Sequence, residues 1–231
     1  MNVVLKFAKA VLPDRVGRSL RREHRTLVLR RAMRVFLADP IISWQRNPRL
    51  LSDLIYGWGN ETFSAREEYL SACLEHALVR RGSILECGSG LTTILVGALL
   101  ERCGGSLCAL EHDAAWYEKI GACLEHYGIH CAHVVHAPLI NYGTFSWYDV
   151  PLEALPQRIS LIICDGPPAG TPGGRYGVVP LMRERLAPGS VVLLDDAGRE
   201  QEHAIADRWS AELGRRYEMF GEEKPYARIA I

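Results

Sequence analysis

The sequence lacks the features that mark membrane-spanning and secreted proteins. Its 231 residues contain no run of about eighteen apolar residues, so no segment is long enough for a transmembrane helix. The N-terminus lacks the succession of charged, apolar and small residues that forms a secretory signal. Hydrophobic residues make up 48% of the chain and charged residues 23%, which is typical of a globular protein. We therefore expect a cytoplasmic protein.

Cysteine pairs spaced for metal binding are also missing. The seven cysteines are odd in number, include no Cys-x-x-Cys, and mostly fall within apolar segments. This pattern argues against a disulfide framework or a zinc ribbon and indicates reduced thiols in a protein core. The cysteines are Cys73, Cys87, Cys103, Cys108, Cys123, Cys131 and Cys164.

The chain has no net charge, but its charge is unevenly distributed. Residues 1–38 carry a net charge of +8 and the remainder carries −8. We expect residues 1–60 to form a basic helical extension, in which residues 1–38 rest on an acidic domain or partner or, alternatively, contact an anionic membrane surface. Binding to DNA is not expected, because Phe7 is the only aromatic residue before Phe36 that could stack on bases. The sequence gives no indication of the oligomeric state.

A glycine-rich turn stands at the centre of the chain. The apolar run 83–87 has the length of a strand, Gly88 and Gly90 follow it, and an apolar helix is predicted from Leu91. Glycines allow the backbone to approach a ligand closely, and a helix start offers unpaired N–H groups. The turn is therefore a candidate cofactor cradle, although an ordinary strand-to-helix turn is the simpler interpretation.

The acidic residue before the turn indicates which cofactor would fit. The third glycine of a dinucleotide fingerprint is absent, since Leu91, Thr92 and Thr93 follow Gly90. Glu86 would repel a pyrophosphate but attract a cationic ligand. S-adenosylmethionine carries two such cations, an ammonium and a sulfonium.

Strands and helices alternate after the turn. The pattern predicts strands at 83–87, 106–111, 131–136, 159–165 and 190–196, and helices near 91–102, 113–127, 176–187 and 199–213. A final hairpin is predicted from residue 216 to 231. Alternation of this kind predicts a doubly wound parallel sheet in a domain of residues 61–231.

Carboxylates cluster at the predicted strand ends, where α/β proteins bind ligands. Glu111 is placed to bind the hydroxyls of a ribose, or else it simply leads into the helix that Asp113 caps. Asp165 is held by the rigid segment that follows it, which suits a general base or a metal ligand. Asp195 and Asp196 should point to opposite faces of a strand, so we expect Asp196 alone to face the cleft.

Two further features of this region leave alternatives open. Arg175 could reach an anionic or sugar substrate, or it could pair with a nearby acidic residue. The segment 147–149 could fold over the site as a loop, or its aromatic residues could anchor that loop.

With these motifs in this order, residues 60–231 resemble a class I S-adenosylmethionine-dependent methyltransferase. The resemblance implies a Rossmann-like, seven-stranded sheet with strand order 3-2-1-4-5-7-6 and an antiparallel last strand. It also implies a set of cofactor-binding residues, in which Glu86 and the glycine turn hold the methionine part, Glu111 the ribose, and His112 with the end of the third strand the adenine. The residues are Glu86, Gly88, Ser89, Gly90, Thr93, Glu111, His112, Ala137, Pro138 and Asp165.

The resemblance is greatest to small-molecule and sugar O-methyltransferases. It implies O-methylation of a small hydroxylated acceptor such as a sugar or natural product, with Asp165 and Asp196 as catalytic residues. Both also match ligand positions of the relatives that use a divalent cation. However, Ala197 stands where a third ligand would be, so no metal ligands are assigned. Gly166 and Ala169 depart from the pattern of base-methylating enzymes.

Two alternatives remain at this point. The first is a nicotinamide-dependent oxidoreductase with a Rossmann fold, which would have to accommodate Glu86 near a pyrophosphate. The second is a non-catalytic nucleotide-binding scaffold, which would explain the basic N-terminal segment.

Overall fold

A computed structural model of the chain describes residues 14–60 and 65–231. The chain divides into two compact units, Met1–Ser64 and Ala65–Ile231. Within the described residues, no helix combines the length and apolar character needed to cross a membrane.

The first unit contains three described helices, α1 (Asp14–Ala38), α2 (Ser43–Arg46) and α3 (Leu50–Trp58). Helices α1 and α3 approach closely at Gly57, where a Cβ atom would stand only 2.7 Å from the backbone nitrogen of Leu29. The basic residues of α1 are mostly exposed, as a charged helix face predicts. Lys6 and Lys9 lie outside the described residues.

The second unit is built on a seven-stranded sheet that confirms the predicted order. The strands run β3-β2-β1-β6-β7-β9-β8 across the sheet, which is the order 3-2-1-4-5-7-6 once the two short strands of a separate hairpin are set aside. All neighbours from β3 to β7 are parallel, and β9 is antiparallel to both β7 and β8. The sheet strands are β1 (Ser83–Cys87), β2 (Ser106–Glu111), β3 (Ala132–His136), β6 (Ile159–Cys164), β7 (Leu186–Leu194), β8 (Tyr217–Phe220) and β9 (Tyr226–Ala230).

Helices connect and cover these strands. Strands β1 and β6 lie at the centre and are almost entirely buried, as expected for parallel strands covered on both faces. The helices of this unit are α4 (Glu67–Arg80), α5 (Leu91–Cys103), α6 (Ala114–His126), α7 (Val178–Met182) and α8 (Glu200–Leu213), with single 3₁₀ turns at Leu152–Ala154 and Arg183–Arg185.

Three local predictions were wrong. The helix expected over 176–187 is the single short helix α7, because Leu186 already pairs with Ile159 in the sheet. The segment expected as a loop near 147–149 contains β5 (Ser146–Tyr148), which pairs with β4 (Leu139–Asn141) in an antiparallel hairpin. Strand β7 ends at Leu194 rather than at residue 196, so both following aspartates lie in a turn.

The β4–β5 hairpin settles the role of its aromatic residues. Trp147 and Tyr148 are buried in the hydrophobic core beside Leu85 and Cys164. These side chains therefore anchor the segment between β3 and β6 and cover one face of the sheet. The interpretation as an anchor is confirmed.

Candidate active site

The glycine turn lies at the carboxyl ends of β1, β2 and β6. Gly88 donates its backbone N–H to the carbonyl of Leu110, 3.0 Å away, and adopts a φ of 86°. A Cβ atom at Gly88 would stand 3.1 Å from the backbone nitrogen of Gly166. Only glycine suits this left-handed backbone and close contact. The turn after β1 therefore packs directly against the turn after β6.

Gly90 has a different environment. A Cβ atom at Gly90 would meet no atom within 4 Å, so the turn opens onto free space at this position. The N–H of Gly90 donates to the hydroxyl of Thr93, 2.9 Å away, and that hydroxyl donates to the carboxylate of Glu86 at 2.6 Å. Thr93 therefore ties the helix start to the end of β1.

Glu86 lies beneath the glycine turn rather than on its surface. Only 1% of the residue is exposed. Burial raises the pKa of Glu86 well above its usual value, while the hydrogen bond from Thr93 opposes that shift. The carboxylate of Glu86 thus stabilises the conformation of the turn through its hydrogen bond with Thr93.

Glu111 holds the other side of the turn. One of its oxygens accepts hydrogen bonds from the backbone N–H and the hydroxyl of Ser89, at 3.1 and 2.8 Å. The other accepts from the backbone N–H of Asp113 at 2.9 Å and lies 3.0 Å from Nδ1 of His112. A carboxylate has about four acceptor sites, and Glu111 already accepts three hydrogen bonds and has the His112 ring nitrogen close to it. A ribose hydroxyl would have to replace Ser89 Oγ or His112.

The remaining predicted adenine neighbours lie at the end of β3. Ala137 is buried and donates its backbone N–H to the carbonyl of Glu111, 2.7 Å away, whereas Pro138 is exposed. His112 is about one-third exposed beside Glu111. The structure therefore brings the predicted adenine and ribose residues to one edge of the sheet.

Three carboxylates meet at the ends of β6 and β7. Each of Asp165, Asp195 and Asp196 offers an oxygen that lies within 4.8 Å of the others. The expectation that Asp196 alone would face the cleft assumed that the strand continues through both aspartates, but the strand ends before them and Asp196 takes a left-handed conformation with a φ of 59°. The turn directs both carboxylates to the same place.

Three cations contact these carboxylates. Arg175 Nη2 lies 3.1 Å from Asp165 and 3.0 Å from Asp196, which confirms that Arg175 pairs with acidic residues. Lys224 Nζ lies 2.6 Å from Asp195 and 3.1 Å from Asp196, and Arg199 lies 2.9 Å from Asp196. We call these six side chains the charged cluster.

Lys224 was not predicted from the sequence. It lies in the turn between β8 and β9, 29 residues after Asp195, and no motif marks it. The predicted C-terminal hairpin was the available signal, because the order of the sheet places that hairpin beside β7.

Asp165 is the most accessible carboxylate of the charged cluster. Its side chain is 25% exposed, against 5% for Asp196 and none for Asp195. Desolvation and the neighbouring charge of Asp195 raise the pKa of Asp165 to about 8, although Arg175 and Lys224 act in the opposite direction. The backbone N–H of Asp165 donates to Cys87, 3.0 Å away, which links the charged cluster to the glycine turn.

Comparisons with known proteins agree with this geometry. Residues 85–197 match a family described as a methyltransferase domain. A search of curated proteins finds no sequence that matches the chain. Among solved structures, an O-methyltransferase from Bacillus cereus is similar with a TM-score of 0.55 at 12% identity, covering 78% of this chain and 90% of that one.

Two other solved structures show the range of chemistry on this fold. A precorrin-6Y C5,15-methyltransferase from Geobacter metallireducens has a TM-score of 0.51 at 16% identity, covering 74% of this chain and 94% of its own. A 16S rRNA methyltransferase from Thermus thermophilus has a TM-score of 0.52 at 18% identity, covering 72% of this chain and 43% of its own.

The match of residues 85–197 to a methyltransferase domain, together with the shared fold and the site, supports a class I S-adenosylmethionine-dependent methyltransferase. The residues present fit the cofactor of that class. Gly90 opens onto unfilled space, so a ligand can approach the backbone of the turn closely. This outcome favours the methyltransferase over the oxidoreductase and the non-catalytic scaffold.

Proposed function

We propose that the protein methylates a hydroxyl group of a small acceptor, with Asp165 as the proton acceptor. The observation that carries the proposal is the position of Asp165, which is partly exposed at the end of β6 and hydrogen-bonded to the end of β1. A general base works best when its pKa lies near the operating pH, and Asp165 has a raised pKa of about 8.

S-adenosylmethionine supplies a methyl group bonded to a positively charged sulfur when it is bound. We assign its amino acid part to Gly88 and Gly90, with Glu86 and Thr93 holding the turn in shape. We assign its ribose to Glu111 and its adenine to the vicinity of His112, Ala137 and Pro138. Ser89 then has to exchange its hydrogen bond with Glu111 for one with the ligand or the solvent.

Asp165 and Asp196 have different roles in this proposal. Asp165 accepts the proton of the acceptor hydroxyl, so that the acceptor oxygen can attack the methyl carbon. Asp196 contacts Arg175, Arg199 and Lys224 and is almost fully buried, so its role is to hold these cations in place. Asp196 is therefore a positioning residue.

The proposal is tested by measuring methyl transfer from labelled S-adenosylmethionine to a panel of phenols, sugars, amines and short RNAs. We expect a labelled O-methyl product, and we expect the rate to rise with pH through the pKa of Asp165, since only the ionised carboxylate accepts a proton. Asp165→Asn should reduce kcat by about 10²-fold or more and leave binding of S-adenosylhomocysteine within about threefold.

Two results would contradict this assignment. A product methylated on nitrogen or carbon, with no reaction on any hydroxyl, would remove O-methylation from consideration. Unchanged turnover by Asp165→Asn would show that another group accepts the proton.

A further inference from the structure

We propose that Lys224 takes the place of a divalent cation in this methyltransferase, so that a protein ammonium group rather than a metal ion faces the acceptor. The proposal rests on the proposed function for the position of the acceptor, but its main test requires neither acceptor nor cofactor.

The three aspartates alone would form a plausible site for a hard cation. Their oxygens lie within 4.8 Å of one another, and carboxylate oxygens are the ligands that Mg²⁺ and Mn²⁺ prefer. Asp195 Oδ1 is also buried without a hydrogen-bond partner among the described residues, so one further ligand atom is available. The geometry of the carboxylates is therefore compatible with a metal ion.

The surrounding cations oppose metal binding. The Lys224 ammonium bridges Asp195 and Asp196, at 2.6 and 3.1 Å, and Arg175 bridges Asp165 and Asp196. A divalent cation would have to displace Lys224 and would be repelled by Arg175. The residues present thus do not fit a metal ion while Lys224 stays in place.

Lys224 is also placed to act on the acceptor. Burial lowers the pKa of Lys224, but the negative charges of Asp195 and Asp165 raise it by more, so the net shift is upwards. The side chain therefore remains an ammonium ion. Two of its three donors are directed to Asp195 and Asp196, and 23% of the side chain is exposed. The third donor can stabilise negative charge on the acceptor oxygen.

The position of Lys224 is fixed by its turn. The backbone N–H of Glu222 donates to the carboxylate of Glu68, 3.2 Å away, and Pro225 packs within 3.1 Å of the point where a Cβ atom of Gly198 would stand. These contacts hold the β8–β9 turn on helix α4 and on the segment after β7. Lys224 is therefore held in place by its backbone as well as by its charge.

The test is titration with Mn²⁺, followed by electron paramagnetic resonance, on the full chain without cofactor or acceptor. We expect no saturable binding by the wild type. We expect Lys224→Ala to bind one Mn²⁺ per chain at least ten times more tightly than the wild type, and Lys224→Ala combined with Asp195→Asn to lose that binding. Lys224→Gln, which keeps the length of the side chain without its charge, should also gain binding.

Two matched controls separate the role of Lys224 from general charge effects. Lys224→Arg keeps a cation in the cluster and should gain no Mn²⁺ site. Arg199→Ala removes a cation that also contacts Asp196 but whose side chain is about half exposed, and it should gain none either.

Saturable Mn²⁺ binding by the wild type that a folded Asp195→Asn variant lacks would overturn the proposal. The absence of any gain in both Lys224→Ala and Lys224→Gln would overturn it as well. Because these measurements involve no methyl transfer, a failure here is distinguishable from a failure of the proposed O-methylation.

Discussion

Glu111 already accepts three hydrogen bonds before any ligand arrives. Its carboxylate is shared between the glycine turn, through Ser89, and the start of α6, through Asp113. A ligand hydroxyl that binds Glu111 exchanges one hydrogen bond for another instead of filling an empty acceptor. The net gain from that contact is therefore smaller than for a free carboxylate.

At the scale of single residues, the structure predicts opposite outcomes for two neighbouring substitutions. Glu111→Ala should weaken binding of S-adenosylhomocysteine by about 10- to 100-fold, because it removes charge-assisted hydrogen bonds to both the turn and the ligand. Ser89→Ala should change binding by less than about threefold, since it frees one acceptor site on Glu111. Isothermal titration calorimetry of the two variants provides the comparison, and a large loss in Ser89→Ala would contradict it.

At the scale of the structural element, the glycine turn 88–90 meets two requirements, which are close backbone packing at Gly88 and open space for a ligand at Gly90. Gly88 is needed for the fold, because its φ of 86° and its contact with Gly166 leave no room for a side chain. Gly90 has an extended backbone that any residue can adopt, and its missing side chain leaves open space. The first glycine serves packing and the second serves the ligand.

Substitution of each glycine by alanine separates these requirements. Gly88→Ala should lower the free energy of unfolding by about 1–3 kcal/mol, because a left-handed conformation and a close contact are strained together. Gly90→Ala should leave the free energy of unfolding within about 0.5 kcal/mol but weaken binding of S-adenosylhomocysteine by at least about tenfold. Urea denaturation and calorimetry on both variants test the pair. Undiminished ligand binding by Gly90→Ala would show that the ligand does not occupy this space.

At the scale of the whole molecule, the raised pKa of Asp165 links stability to pH. The pKa of about 8 in the folded chain lies above the ordinary value of 3.8, so the folded state keeps a proton that the unfolded state releases. The contribution of Asp165 to the free energy of unfolding is greatest below the pKa of this group in the unfolded chain, and it decreases as the pH rises towards 8. The raised pKa of Glu86 acts in the same direction.

This linkage gives a measurable difference between the wild type and Asp165→Asn. The free energy of unfolding of the wild type should fall between pH 5 and pH 8, and the fall should be smaller in Asp165→Asn, which has no proton to release. Urea denaturation at both pH values measures the two differences. An equal fall in both proteins would mean that Asp165 titrates alike in the folded and unfolded chain.

Sequence patterns predicted the parts of the site that are close along the chain. The turn from Glu86 to Thr93 is local. The alternation of elements predicted a parallel sheet, and the strand order came from the resemblance. Lys224 was missed because its partner Asp195 is distant in sequence and reaches it only through the pairing of β7 with β9. The β4–β5 hairpin was missed because its strands are only three residues long, too short for a clear alternation.

The backbones of Gly88 and Gly166 are in direct contact, so the glycine turn and the segment that begins with Asp165 form one rigid unit. A displacement of one backbone should displace the other. Ligand binding at the glycine turn should therefore change the position of Asp165 without any long-range rearrangement. Variants that move the backbone of either segment should consequently change both ligand affinity and turnover. Only side-chain substitutions that leave both backbones in place should change one of these quantities without the other.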